Sequence, residues 1–286
     1  MNEIVISVES TCDLSEEWVK KSGVSVINME YSIDGTVYVA GDGSHTSKSF
    51  YDKMREGAVT KTALINEYDA ENYLSGILET GADVIHLGFS SSLSGTYQSF
   101  AAAEEKLKRK YPERKIAVID SLCASSGQGY YATLVSQYSK EHTFEQTVEY
   151  AESLKHRIVH LFVVDDLKYL ARGGRISKAT ALLGNTIHMK PVMHMNKEGA
   201  LVAYKKVISR KKSLLEVSNR AAHVYNGEGG RIFVAHADCI DEARLVAERL
   251  EKDTGVKPDI MDLGMVIGSH SGPGTLAIFL TASERD

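Results

Sequence analysis

Short apolar runs in this chain repeatedly end in small polar residues and give way at once to helical patterning. That alternation limits the fold more than any other feature. IVISVES (4–10) reads as a strand, and TCDLSEEWVKKSG after it as a turn and helix, with Asp13 as N-cap and Glu16 three residues on completing a capping box. VSVINMEYSID–G–TVYV (24–39) alternates across Asp34–Gly35, a hairpin signal. From 40 to 62 the chain is rich in Gly, Ser and Thr around one short helix, SKSFYDKMREG. A helix over 69–80 then leads through Gly81 into the strand VIHLGFS (84–90). SSLSGT precedes the helix YQSFAAAEEKLKRKY, IAVIDS (116–121) is a strand, and helices over 125–140 and 143–156 follow. Strand, crossover helix, strand predicts a parallel sheet with helices on its faces.

HLFVVDD (160–166) begins a second unit with a different rhythm. LKYLARGGRISKATALLGNTIHMKP is helical but interrupted at Gly173–Gly174 and Gly184, and VMHMN and ALVAYKKVI, joined at Glu198–Gly199, read as a hairpin. A helix over 210–225, the strand RIFVAHAD (231–238), a helix over 241–253 and the strands PDIMDLG and TLAIFLT complete it. A chain of 286 residues suggests about two domains. The expected division is an N-terminal Rossmann-like parallel-sheet α/β domain, 1–157, and a smaller mixed-sheet α/β domain, 158–286.

Composition narrows the class. With 43% hydrophobic and 25% charged residues, the chain has ample apolar material for a packed core. Lys and Arg total 33 against 38 Asp and Glu, a net charge of −5, which argues against gripping nucleic acid by charge alone. Cys12, Cys123 and Cys239 lie more than a hundred residues apart, giving neither a disulfide framework nor zinc-ligand spacing. MNEIVISVESTCD lacks the basic and long apolar regions of a signal peptide, and no window approaches the roughly 18 apolar residues of a spanning helix. The expected setting is a reducing cytoplasm.

Four segments could carry chemistry. In open α/β sheets ligands collect beyond the carboxyl ends of the strands, and here those ends carry Glu9–Ser10–Thr11, Ser90–Ser91–Ser92 and Asp120–Ser121. SSSLSGTYQS (90–99) runs hydroxyls into a helix start, where free N–H groups favour an anion. Ser94 or Thr96 is the natural cap, and plain capping is the competing reading. VTKTALIN (59–66), with Lys61 and Thr62, reads by itself as a solvated loop. IGSHSGPGT (267–275) places His270 at a strand end before a sharp turn. YLARGGRISK (169–178) sets Arg172, Arg175 and Lys178 around a double glycine, either a solvated helix break or a basic docking edge for a partner or phosphate. Neither phosphate-loop pattern, no GxSxG elbow and no HExxH occurs, and His236 with Cys239 is too small a set for a metal.

In this order the segments resemble the DegV family: VISVESTCDLS at the start, SSSLSGTYQSFA at 90–101, VIDSLCASSGQG at 118–129, LKYLARGGRISK at 167–178 and HSGPGT at 270–275. The resemblance spans nearly the whole chain. It implies two α/β domains that bury a long-chain fatty acid, such as hexadecanoate, between them, with no other cofactor and no metal. By motif, the carboxylate-binding positions carried over are Thr62 and Ser94, with His270 near the same end. The resemblance also implies a binding protein with no catalytic residues of its own, the lipid-carrying subunit of a fatty acid kinase whose separate ATP-binding subunit makes the acyl-phosphate. Two departures stand out. The family loop usually reads K-T-S-Q-P, where this chain has Lys61–Thr62–Ala63–Leu64–Ile65. A basic residue before the helix near 210 is replaced by Ile208, with Arg210 as a possible substitute.

The tail requires an apolar slot. Residues 179–195 offer Ala179, Leu182, Leu183, Ile187, Met189 and Met193, the methionines able to mould around a flexible chain. Ordinary core packing is the competing reading for that stretch. At roughly 0.8 kcal/mol per buried methylene, a long saturated chain gains on the order of 10 kcal/mol before ordering costs. Two other functions remain open at this point: a stand-alone hydrolase or phosphotransferase using Ser94 or His270, and a module for another small anion.

Overall fold

The computed structural model describes residues 3–176 and 189–285. The first sheet contains β1 (Ile4–Glu9), β2 (Ser25–Ile27), β6 (Asp83–Gly88) and β7 (Ile116–Asp120), all parallel in the order β2-β1-β6-β7. A small antiparallel sheet, β4-β3-β5, is formed by β3 (Glu30–Ile33), β4 (Thr36–Val39) and β5 (Thr60–Thr62). The third sheet has the order β10-β9-β8-β13-β11-β12, from β8 (Ile158–Val163), β9 (Met189–Met195), β10 (Leu201–Ile208), β11 (Phe233–His236), β12 (Asp259–Asp262) and β13 (Leu276–Thr281). It is mixed: only β11 and β12 pair in parallel. An α/β architecture with one parallel and one mixed sheet is therefore what the alternating pattern encodes.

Local sequence explains most boundaries. All six residues of β6 and all six of β8 are buried, as near-continuous apolar strands covered on both faces should be. Asp34 and Gly35 both take positive φ, 50° and 89°, and close the β3–β4 hairpin with the twist that suits paired strands. Thr143 and Gln146 form a reciprocal capping box at the start of the helix Phe144–Leu154.

Three expectations need correction. Asp13 does not cap the first helix: Ser15 accepts from Trp18 N at 3.3 Å, and Asp13 instead ends a short 3-10 turn in the left-handed region. The segment around Thr62 is not a solvated loop, because Thr60–Thr62 pairs with Ile33–Tyr31 of β3. His270 is not at a strand end; it lies in the last turn of the helix Met265–Ser271.

The helix Ser126–Ser139 packs against β1 on one side and against β8, β11 and β13 on the other. One apolar cluster consequently runs through both large sheets and includes Ile6, Val8, Tyr130, Phe162, Phe233 and Phe279. Truncating a fully buried aromatic such as Phe233 in such a core costs about 3–5 kcal/mol. No helix among the described residues is long and apolar enough to cross a membrane.

Candidate functional site

The parallel sheet reverses its winding between β1 and β6, the place where open α/β sheets collect ligands. Here protein side chains already occupy it. The buried Glu9 carboxylate accepts from Phe89 N at 3.2 and 3.1 Å and from Gln128 Nε2 at 2.7 Å, and His86 Nε2 lies 3.4 Å away. Burial raises the Glu9 pKa, but the His86 charge and the Gln128 amide outweigh it and hold the group below its usual range. Thr11 donates to Gln128 Oε1, Ser10 Oγ accepts from Met29 N, and Asp120 Oδ1 accepts from Ser91 N and Leu122 N. The acids and hydroxyls at these strand ends thus tie loops together.

The hydroxyl cluster at 90–96 divides its work in a way that spacing does not reveal. Ser90 Oγ donates to Gly199 O at 2.9 Å and Ser92 Oγ to Glu198 O at 2.5 Å, so both hold the turn between β9 and β10. Gly199 has φ +75°, and a side chain on it would overlap Ser90 Oγ; only glycine fits there. The N-cap of the helix Thr96–Lys110 is Gly95, with no side-chain cap. Ser94 sits one residue earlier, its Oγ 3.0 Å from Thr96 Oγ1 and accepting from Thr96 N at 3.2 Å. Of the three, Ser94 is the one that reaches the cavity.

Thr62 and His270 are brought together from opposite ends of the chain. The helix Met265–Ser271 is gripped by the N-terminal part: Tyr51 Oη donates to Leu263 O at 2.7 Å and Thr60 Oγ1 to Ser269 O at 3.0 Å. At its end His270 Nε2 lies 2.7 Å from Thr62 Oγ1, while Nδ1 is buried without a hydrogen-bond partner among the described residues. Burial, with the charges of Arg175 and Arg172, pushes the His270 pKa down to about 4, so the imidazole is neutral at pH 7. Arg175 is half-buried at the cavity wall and donates through Nε to Leu93 O at 3.1 Å and through Nη1 to Gly173 O. No carboxylate pairs with it among the described residues. Arg172 is exposed, 5.4 Å from the Tyr169 ring centroid, and does not line the cavity.

These side chains meet at a slot of about 790 Å³, part of it open to solvent. One wall comes from the parallel-sheet side, including Phe89, Leu93 and Ala124; the other comes from the six-stranded sheet and the helix Met265–Ser271. From Thr275, just before β13, the inward face continues through Ala277 to Phe279 on that strand, a run of about 14 Å at the usual strand rise. Opposite Phe279 stands His160, whose Nε2 accepts from Ala124 N at 3.1 Å and whose Nδ1 lies 3.2 Å from Ile158 O. The slot is therefore polar at the Thr62–His270 end and mostly apolar along its length.

The expected tail-lining residues fare unevenly. Ala179, Leu182, Leu183 and Ile187, like Lys178, fall outside the described residues. Met189 is half-buried, and Met193 belongs to the general core rather than the slot, which has Met29 and Met195 in its walls instead. Arg210 is held by Glu242 (Nη2 to Oε2, 2.5 Å) and Gly274 O, whereas Ile208 is 61% exposed. No cluster of metal-binding side chains occurs among the described residues.

Ser125 and Ser271 are among the polar wall residues that no sequence motif marks individually. Ser125 adopts φ 54° and ψ −149°, a region L-residues seldom occupy, and donates to Asp13 Oδ2 at 2.5 Å. Ser271 follows His270 and also faces the slot. Neither carries a sequence signal beyond being a serine in a small-residue stretch.

The model of the DegV family, described as "Uncharacterised protein, DegV family", matches residues 3–283. The DegV domain-containing protein CPE0026 of Clostridium perfringens is 35% identical over 292 residues, covering 100% of each chain. YteA of Lactococcus lactis, another DegV domain-containing protein, is 30% identical over 277 residues and 96% of each. Among solved structures, a fatty-acid-binding DegV family protein from Thermus thermophilus superposes with a TM-score of 0.85 at 28% identity, over 99% of this chain and 100% of its own. DegV from Bacillus subtilis, described as a fatty acid binding protein, gives 0.84 at 26% identity, over 98% and 99%. Sequence match along nearly the full length and agreement of the whole fold lead to one conclusion: this chain belongs to the DegV family.

Proposed function

We propose that the chain binds one long-chain fatty acid, such as hexadecanoate, in the slot and presents its carboxylate to a separate ATP-binding kinase subunit for acyl-phosphate formation. The observation that carries the reading is the Thr62–His270 pair, 2.7 Å apart at the polar end of an otherwise apolar slot. A carboxylate leaving water needs donors, and the Thr62 and Ser94 hydroxyls beside the His270 imidazole supply them. The tail would lie along Ala277 and Phe279. The fatty-acid-binding relatives from Thermus thermophilus and Bacillus subtilis support this reading. In it, residues 1–157 and 158–286 act as two domains enclosing the lipid, the protein works in the cytoplasm, and Arg172 and Arg175 form the edge a kinase would meet.

The geometry favours a carrier over a stand-alone hydrolase or phosphotransferase. A serine nucleophile needs a base, itself oriented by a third group. Ser94 bonds to Thr96 rather than to His270, and among the described residues His270 Nδ1 has no partner to orient the ring. Titration with hexadecanoate tests the binding, and incubation with ATP and a fatty acid kinase subunit tests the presentation. The reading expects acyl-phosphate only when both proteins and the acid are present. Turnover of acyl or phosphoryl esters by this chain alone would overturn it.

A further inference from the structure

Buried polar groups find hydrogen-bond partners, so one without a partner inside a ligand slot requires an explanation. The polar side chains lining this slot are nearly all satisfied by the protein. Thr11 bonds to Gln128, Ser125 to Asp13 and His160 to Ala124 N, while Thr275 Oγ1 donates to Ser271 O and Gly272 O at 2.9 Å each. Thr62 Oγ1 and His270 Nε2 satisfy one another, and His270 Nδ1, packed against Gly173, is left without a partner among the described residues. Ser271 differs: it is 94% buried, its Oγ is sealed within the fold, and that Oγ has no hydrogen-bond partner among the described residues. Serines late in a helix ordinarily donate to the carbonyl four residues earlier, as Ser269 does to Met265 O at 2.8 Å. Ser271 makes no such bond, although it follows His270 directly.

We infer that Ser271 is a further ligand-binding residue, its hydroxyl donating to an oxygen of the bound carboxylate alongside the Thr62–His270 pair. This rests on the fatty-acid reading above and adds one donor to it. The chemistry suits the position. A hydroxyl that neither bonds within the protein nor meets bulk solvent destabilises the empty slot slightly, and an entering anionic oxygen removes that penalty. A hydrogen bond to a charged acceptor is worth roughly ten-fold or more in affinity.

The test is calorimetric titration of hexadecanoate and hexadecanol into delipidated wild-type, Ser271→Ala and Thr62→Ala protein, with the melting temperature of each measured without ligand. Expected for Ser271→Ala is roughly ten-fold weaker hexadecanoate binding, a smaller loss for the uncharged alcohol, and an unchanged or slightly raised melting temperature, since the unpartnered hydroxyl holds nothing in the ligand-free fold. Equal hexadecanoate affinity in wild type and Ser271→Ala, with Thr62→Ala weakened, would overturn the Ser271 assignment alone. A lowered melting temperature for Ser271→Ala would mark the residue as structural and also overturn it. Wild-type protein that takes up no hexadecanoate would remove both this assignment and the reading beneath it.

Discussion

Gly173 and His270 pack so closely that a methyl group on Gly173 would overlap His270 Nδ1. Gly173 has an ordinary helical backbone, φ −72° and ψ −10°, so alanine suits the local conformation and conflicts only with the imidazole. The substitution Gly173→Ala should therefore move His270 away from Thr62 while sparing the rest of the fold. Expected is fatty acid affinity reduced about ten-fold or more, with only a modest change in melting temperature. Binding isotherms and thermal melts on the same preparations check this.

Ser90→Ala removes the buried bond to Gly199 O that holds the turn between β9 and β10. Leaving that carbonyl without its donor costs about 1–3 kcal/mol. Met195 and Leu201, which flank the turn, line the slot, so ligand should also dissociate faster. Denaturant unfolding and ligand off-rates, measured together, should move in the same direction.

His270 gives the fold an acid sensitivity with a definite sign. Its folded pKa, about 4, lies below the reference value of 6.5, so the folded state binds fewer protons than the unfolded one in that window. The stability this contributes is present above pH 6.5 and is lost as pH falls toward 4. His270→Gln, which does not titrate, should show a flatter stability profile between pH 6.5 and 4 in ligand-free protein.

Asp13 works in the opposite direction. Burial, with some help from the Asp262 charge, pushes its carboxyl up to about 8, against the Ser125 hydroxyl and the Gly264 amide, which favour the carboxylate. A carboxyl raised above its unfolded value of 3.8 contributes stability that is complete below that value and is lost as pH rises through 8. Asp13→Asn removes this titration, so the stability of the variant relative to wild type should climb from about pH 4 to pH 8 and level off beyond. Urea unfolding across that range measures the difference.

Much of the fold was legible because its central strands are local apolar runs bounded by turn residues. IVISVE, DVIHLG and IVHLFV announce themselves, and Asp34–Gly35 marks its hairpin. The site was less legible because it depends on distant partners. Thr60–Thr62 is too short to read as a strand and is fixed by pairing with β3. The helix carrying His270, MVIGSHS, has poor intrinsic propensity, with Gly268, Ser269 and Ser271 in seven residues, and is held by Tyr51, Thr60 and Thr62. The segments of Thr62, Ser94 and His270 stand out in the sequence one by one, but only the family motifs join them into one carboxylate site. Nor could any local pattern tell that Ser90 and Ser92 serve the β9–β10 turn while Ser94 faces the slot.

Fatty acid carriage requires a lipid tail lying in the space between the two large sheets. Mass spectrometry of the intact protein under native conditions measures that directly. The expected spectrum shows the chain carrying the added mass of one long-chain fatty acid, released on denaturation and reduced in Thr62→Ala and Ser94→Ala. A spectrum of bare protein, unchanged after incubation with excess hexadecanoate, would contradict it.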